Sequence, residues 1–299
     1  MKTIAKIRGG VGDLTKPDIS ARPQDNLYLA VNSKWQKDVK IPADRTEIGV
    51  NIDIDMKIEK KLMHDFDQIA SGKEKMPDVK DFDKAIKLYQ IAKNFKKRDK
   101  DGAEPIKTDL NKLIALKDFA EFNKEAVKID EFAGLPFGFD VEADMKNTKV
   151  HVLEFSGPGT FLPDTTSYQQ DDAKKLLEIL KKQTIKLLTM AGVDESKAEN
   201  YVDQALKFDA KLAKVVKSTE EWADYPAAYN PYSMSDFLAK FKSFDMKGSL
   251  EELIPQLPDR VIVLEPRFLD HAEELINANN FEEIKGWMIT KFIKGAAGS

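Results

Sequence analysis

Residues 173–192 read AKKLLEILKKQTIKLLTMAG, and the placing of their apolar members decides the fold class. Ala173, Leu176, Leu177, Leu180, Leu187, Leu188 and Ala191 fall on one face of an α-helix. Gly192 comes next, and a glycine takes the left-handed conformation that ends a helix without the strain a Cβ would add.

Outward from this stretch the pattern repeats. Phe82, Ala85, Ile86, Tyr89, Ala92 and Phe95 make one helical stripe, predicted to end in the basic run Lys96-Lys97-Arg98. Ser196 and Glu199 stand at capping-box spacing ahead of Ala198, Tyr201, Val202, Ala205, Leu212 and Val216. Shorter stripes involve Ile58, Leu62, Phe66 and Ile69, then Phe119, Phe122 and Ala126, then Phe237, Phe241 and Phe244, and last Phe281, Ile284, Trp287 and Met288. Three segments depart from this: 137–141, 150–155 and 261–264 alternate or run apolar. The expected fold is mainly α, a multi-helix lobe with a small antiparallel β-sheet of two to three strands. Residues 1–25, rich in glycine, proline and polar residues, are expected to be an extended amino-terminal arm, and 26–299 the helical lobe.

Composition narrows the function. With 299 residues, 42% hydrophobic and 33% charged, the chain can bury a sizeable core. Its 47 basic and 51 acidic residues are well mixed and leave a net charge of -4, so neither nucleic acid nor an anionic membrane is expected as a partner. There are no cysteines, which removes disulfides, thiolate metal sites and cysteine nucleophiles together. The basic start is followed by Gly9-Gly10-Val11-Gly12 in place of an apolar signal segment, so the expected location is cytoplasmic.

No complete catalytic or metal motif is present. The three histidines, His64, His151 and His271, lie far apart in sequence, and the His-Glu-x-x-His spacing that puts two imidazoles one helical turn apart is missing. His271 and Glu274 share a helix face and read as a surface pair. Asp53 and Asp55 lack a third carboxylate, and no Gly-x-Ser-x-Gly elbow occurs. The basic residues between Lys93 and Lys100, around Phe95, read as a solvated helix end.

Three ordered segments carry a resemblance: 25–35, DNLYLAVNSKW, followed by Ile41-Pro42; 157–164, GPGTFLPD, ahead of Tyr168; and Val261 to Phe268 leading to Trp287-Met288-Ile289. Together they resemble the neprilysin family of zinc metallopeptidases, in particular its bacterial endopeptidase O branch. In these segments Tyr28 and Trp35 are expected as core anchors and the glycine and proline blocks as turns. The resemblance implies a helical lobe that, with a zinc-bearing carboxy-terminal catalytic domain, encloses a cavity limiting substrates to peptides. It also implies that the zinc ligands and the glutamate base lie downstream of these residues. The chain itself is therefore expected to hold no metal and no catalytic residue, with zinc a cofactor of the full-length enzyme and peptides and its own catalytic domain as partners. The mammalian branch carries an arginine two residues before the glycine of the 41–49 segment, gripping the substrate's terminal carboxylate. The corresponding position here is Glu47, with Arg45 two residues earlier; either Glu47 faces the substrate or Arg45 takes over that role. The alternative reading is a stand-alone, non-catalytic peptide- or protein-binding module.

Overall fold

A computed structural model describes residues 16–45 and 47–297. The chain divides into two compact units, 1–96 and 97–299. Of the expected arm, 1–15 lie outside the described residues; 16–25 run through turns, and the Asp18 amide donates to the buried Ser33 Oγ at 2.8 Å.

The first unit holds α1 (Leu27–Asp38), α2 (Val50–Ala70) and α3 (Phe82–Lys93). Asn26 caps α1, its side chain accepting the Leu29 amide at 3.0 Å. The contact between α2 and α3 is aromatic: Phe66 meets Phe82 and Tyr89 edge to face, at ring separations of 5.9 and 5.3 Å. This layer is thin. No residue of α2 is buried, and α1 buries only Leu29 and Ser33. Tyr28 and Trp35 are consequently not core anchors among the described residues: they are 47% and 43% exposed, on a helix whose Leu27 and Val31 are exposed with them.

The stripe predicted to continue to Phe95 breaks at Asn94. α3 stops at Lys93, and α4 (Phe95–Asp101) straddles the division between the units.

The second unit is layered. Its elements in order are α5 (Glu104–Ala115), α6 (Phe119–Asp130), β1 (Gly138–Asp144), β2 (Asn147–Ser156), α7 (Ala173–Met190), α8 (Glu195–Leu212), α9 (Thr219–Trp222), β3 (Asn230–Ser233), α10 (Met234–Leu238), α11 (Met246–Leu253), β4 (Arg260–Val263), α12 (Pro266–Asp270), α13 (Ala272–Leu275) and α14 (Phe281–Ala296). Gly192 ends α7 at φ +94°; its amide donates to Thr189 O and that of Val193 to Leu188 O, closing both bonds of a Schellman turn. The cap of α8 is Asp194, two residues before the predicted Ser196. Its carboxylate reaches the Lys197 amide at 3.2 Å, and α8 ends at Leu212, short of Val216. Phe237, Phe241 and Phe244 are not one helix either: α10 ends at Leu238, and the other two rings enter the core from the turn beyond.

The core centres on α14, which packs on α8, α7 and α5. Gly286 permits the closest of these approaches, since a Cβ there would stand 2.4 Å from the Tyr201 carbonyl oxygen of α8. Next to it the fully buried Trp287 meets Phe208 edge to face at 6.0 Å.

The sheet is larger than predicted and mixed. Its order is β1-β2-β4-β3, antiparallel at both ends, with β2 and β4 parallel in the middle. The unpredicted strand β3 contains Asn230 and Pro231, turn-prone residues that hide it from propensity. The parallel pair joins strands more than a hundred residues apart, a pairing no local pattern encodes. Phe137, Phe139, Phe155 and Phe237 pack beneath the sheet, with Phe155 and Phe237 at 4.9 Å.

Candidate functional site

The 41–49 segment leads into α2. Arg45 is committed to its own unit: Nη2 donates to Glu59 of α2, and Nε lies 3.8 Å from Asp44. Glu47 is exposed and borders a pocket of about 280 Å³ lined with Ile48, Gly49, Val50, Asn51 and Ile52. Gly49 supplies no side-chain cap, so the first amides of α2 have no intrahelical acceptor, and the helix dipole favours the nearby Glu47 carboxylate. Arg45 and Glu47 are thus separated in role, the first tied down and the second available to solvent. Thr46, between them, lies outside the described residues.

The second candidate is the 157–164 segment, fixed by three carboxylates. Glu265, 2% exposed, accepts the Gly157 amide at 2.7 Å and the Lys217 amide at 2.6 Å. Burial pushes its carboxyl above the ordinary range, partly offset by these two amides. Asp209 of α8, 0% exposed, accepts the Phe161 amide at 3.0 Å and the Tyr168 hydroxyl. Burial raises its carboxyl too, while Tyr168, Phe161, Trp287 and Lys291 oppose the shift; the Tyr168 phenol is raised in turn by burial and by Asp209. Asp164 accepts the Thr166 and Thr219 amides at 2.7 and 2.6 Å, and hydrogen bonds from both residues hold it well below the usual carboxylate range. Gly157 is required here, because a Cβ would lie 2.9 Å from both Phe268 and Val216.

Lys291 donates to the Gly159 carbonyl at 3.2 Å, and burial lowers its ammonium. Lys294 stands 5.1 Å over the Phe161 ring, at one end of a groove of about 420 Å³ bordered by Leu162, Pro163, Leu176 and Ile179. Every carboxylate of this constellation accepts from amides, from the Tyr168 phenol or from the Thr166 hydroxyl. Chemically it braces a turn and presents no free base or nucleophile.

The histidines are not brought together. His64 lies on α2 and His151 on β2; His271 Nδ1 meets Glu274 Oε2 at 2.8 Å with both side chains exposed. Asp53 pairs with Lys57 at 2.6 Å. Among the described residues no group of three or more His, Cys, Asp or Glu is placed to hold a metal ion. The basic run is partly neutralised, Lys93 by Asp67 and Lys97 by Asp101.

Sequence reasoning missed Asp209 and Glu265. For Asp209 a signal exists: Val202, Ala205, Asp209 and Leu212 keep helical spacing, which places an acid on the apolar face of α8. Glu265 follows the β-branched block directly and carries no such mark.

The chain belongs to peptidase family M13, whose sequence model matches residues 23–299. Among its relatives, the neutral endopeptidase of Lactobacillus helveticus is 60% identical over 300 residues, covering 99% of this chain and 46% of that protein. The neutral endopeptidase of Lactococcus lactis subsp. cremoris is 38% identical over 280 residues, 92% of this chain and 44% of that protein. The crystal structure of PepO from Lactobacillus rhamnosis superposes with a TM-score of 0.80 at 28% identity, over 93% of this chain and 44% of that one. The inhibitor-bound zinc metalloprotease Zmp1 of Mycobacterium tuberculosis shares the fold, with a TM-score of 0.78 at 21% identity over 94% of this chain and 43% of that one. The chain therefore spans less than half the length of the curated relatives it matches. No helix of the described residues is long and apolar enough to cross a membrane.

Proposed function

We propose that residues 26–299 are the substrate-enclosing lobe of a longer, cytoplasmic zinc metalloendopeptidase that hydrolyses oligopeptides, with residues 1–25 as an arm. The observation that carries this reading is 60% identity across 99% of the chain to a neutral endopeptidase of which it spans 46%. The bare apolar faces of α1 and α2 support it, since a large exposed apolar surface marks an interface. Zinc, the activating base and the scissile-bond contacts belong, in this reading, to the carboxy-terminal catalytic domain. The lobe excludes water and selects peptides by size. Alone it neither holds zinc nor cleaves. Elemental analysis and a peptide-library assay test this on the chain and on the full-length protein: chelator-sensitive cleavage should appear only with the latter. Stoichiometric zinc on the chain, or cleavage by it, would refute the assignment.

Within this lobe Glu47 is the residue that faces the substrate terminus, because Arg45 is held by Glu59. A carboxylate repels another, so the enzyme should favour internal bonds of longer peptides. Glu47→Arg in the full-length enzyme should raise kcat/KM for free-acid peptides over their amidated forms by roughly tenfold, through a two-pronged guanidinium contact. An unchanged acid-to-amide ratio would remove Glu47 from the site.

A further inference from the structure

The sheet of the second unit leaves one long edge open. In the order β1-β2-β4-β3 the outer strands are β1 and β3, and β3 is four residues long with Pro231 removing a donor. β1 is seven residues long and contains no proline. It pairs inward with β2 from Gly138↔Ser156 to Ala143↔His151. In an antiparallel ladder alternate residues turn their amide and carbonyl away from the partner strand, and among the described residues no other hydrogen bond reaches the backbone of 138–143. Val141, in mid-strand, is 61% exposed.

The same strand carries an uncompensated charge pattern. Asp140 lies directly opposite Glu154 of β2, and Glu142 is two residues along on the same face. Like charges in cross-strand register destabilise a sheet. Burial raises the Glu154 carboxyl, and Glu142 and Asp140 raise it further, with no cation opposing them. Charge on an edge strand can serve simply to deter aggregation. That task needs charge on β1 alone, however, and a third carboxylate on the inner strand adds cost without adding protection. A long cationic side chain from a strand laid along β1, about 5 Å from β1 and about 10 Å from β2, would relieve Asp140 and Glu142 directly and Glu154 by reaching inward across β1.

We propose that the outer edge of β1 receives an extended peptide segment bearing lysine or arginine at alternate positions. Its backbone extends the sheet, and its cations stand over Asp140, Glu142 and Glu154. The inference does not depend on the peptidase reading.

The test is fluorescence anisotropy of a labelled peptide alternating lysine with valine, titrated with the full chain in the presence of a chelator to silence any hydrolysis. Saturable binding is expected. It should weaken about tenfold or more with glutamate in place of lysine, with one of the two alternately N-methylated forms but not the other, and with the D140N/E142Q/E154Q variant. The N-methylated peptides probe strand addition on the unaltered protein, so the result does not hinge on the variant's folding. Absence of binding, equal binding of both N-methylated forms, or undiminished binding by a folded variant would each overturn the proposal.

Discussion

Trp35 and Trp287 carry the same side chain to opposite fates. Trp287 sits on α14 with Phe208 against its edge and a glycine beside it that brings α8 into contact. Trp35 sits on a helix whose apolar residues mostly meet solvent. The second unit stacks helices and a sheet around a core, whereas among the described residues of the first unit α1 buries only Leu29 and Ser33 and α2 buries none. The difference teaches that helical periodicity identifies a face that wants covering but does not say whether the same unit covers it.

The largest test of that contrast is truncation of the two tryptophans. Trp287→Ala should cost about 3–5 kcal/mol in urea unfolding, because it leaves a cavity among close-packed rings. Trp35→Ala should cost less than about 1 kcal/mol in the same chain. Similar losses at both sites would break the contrast.

A smaller effect is expected where the 157–164 turn is braced. Asp209→Ala strands the Phe161 amide and the Tyr168 hydroxyl and should cost about 1–3 kcal/mol, read by the same unfolding curves. A loss confined to a few tenths would mean that water replaces the carboxylate.

The smallest effect is a matter of pH. Glu221, paired with Arg267 and bonded to the Ser218 amide, is held down to about 2 from an unfolded value of 4.5. A depressed acid adds stability above its unfolded value and loses it as pH falls through the folded one. Glu221→Gln should therefore lower stability at neutral pH and flatten the acid limb between those two values, so that the variant and parent curves converge at low pH. An unaltered acid limb would show that the pair is screened by solvent.

Much of the fold was legible because its elements are amphipathic. The α2, α6, α7 and α14 stripes and the segments 137–141, 150–155 and 261–264, which fall within or across β1, β2 and β4, follow from spacing alone. What stayed hidden depends on distant partners. Pro231 pairs only because β4 offers it a neighbour, and Asp194 displaces Ser196 as a cap by a choice between two nearby carboxyl and hydroxyl groups. At the candidate site, the glycine and proline turns of 157–164 were visible, while Glu265, which holds Gly157 from 108 positions away, was not. The exposure of Tyr28 and Trp35 was equally invisible, since an aromatic helix face looks the same in sequence whether or not something packs on it.

If a catalytic domain completes the exposed apolar faces of α1 and α2, those faces are shielded only in the full-length enzyme. Hydrogen–deuterium exchange of the chain, alone and as part of the full-length enzyme, addresses it directly. The amides of α1 and α2 should exchange fast in the isolated chain and be strongly protected in the full-length protein, while α8 and α14 are slow in both. Equal exchange of α1 and α2 in the two forms would contradict it.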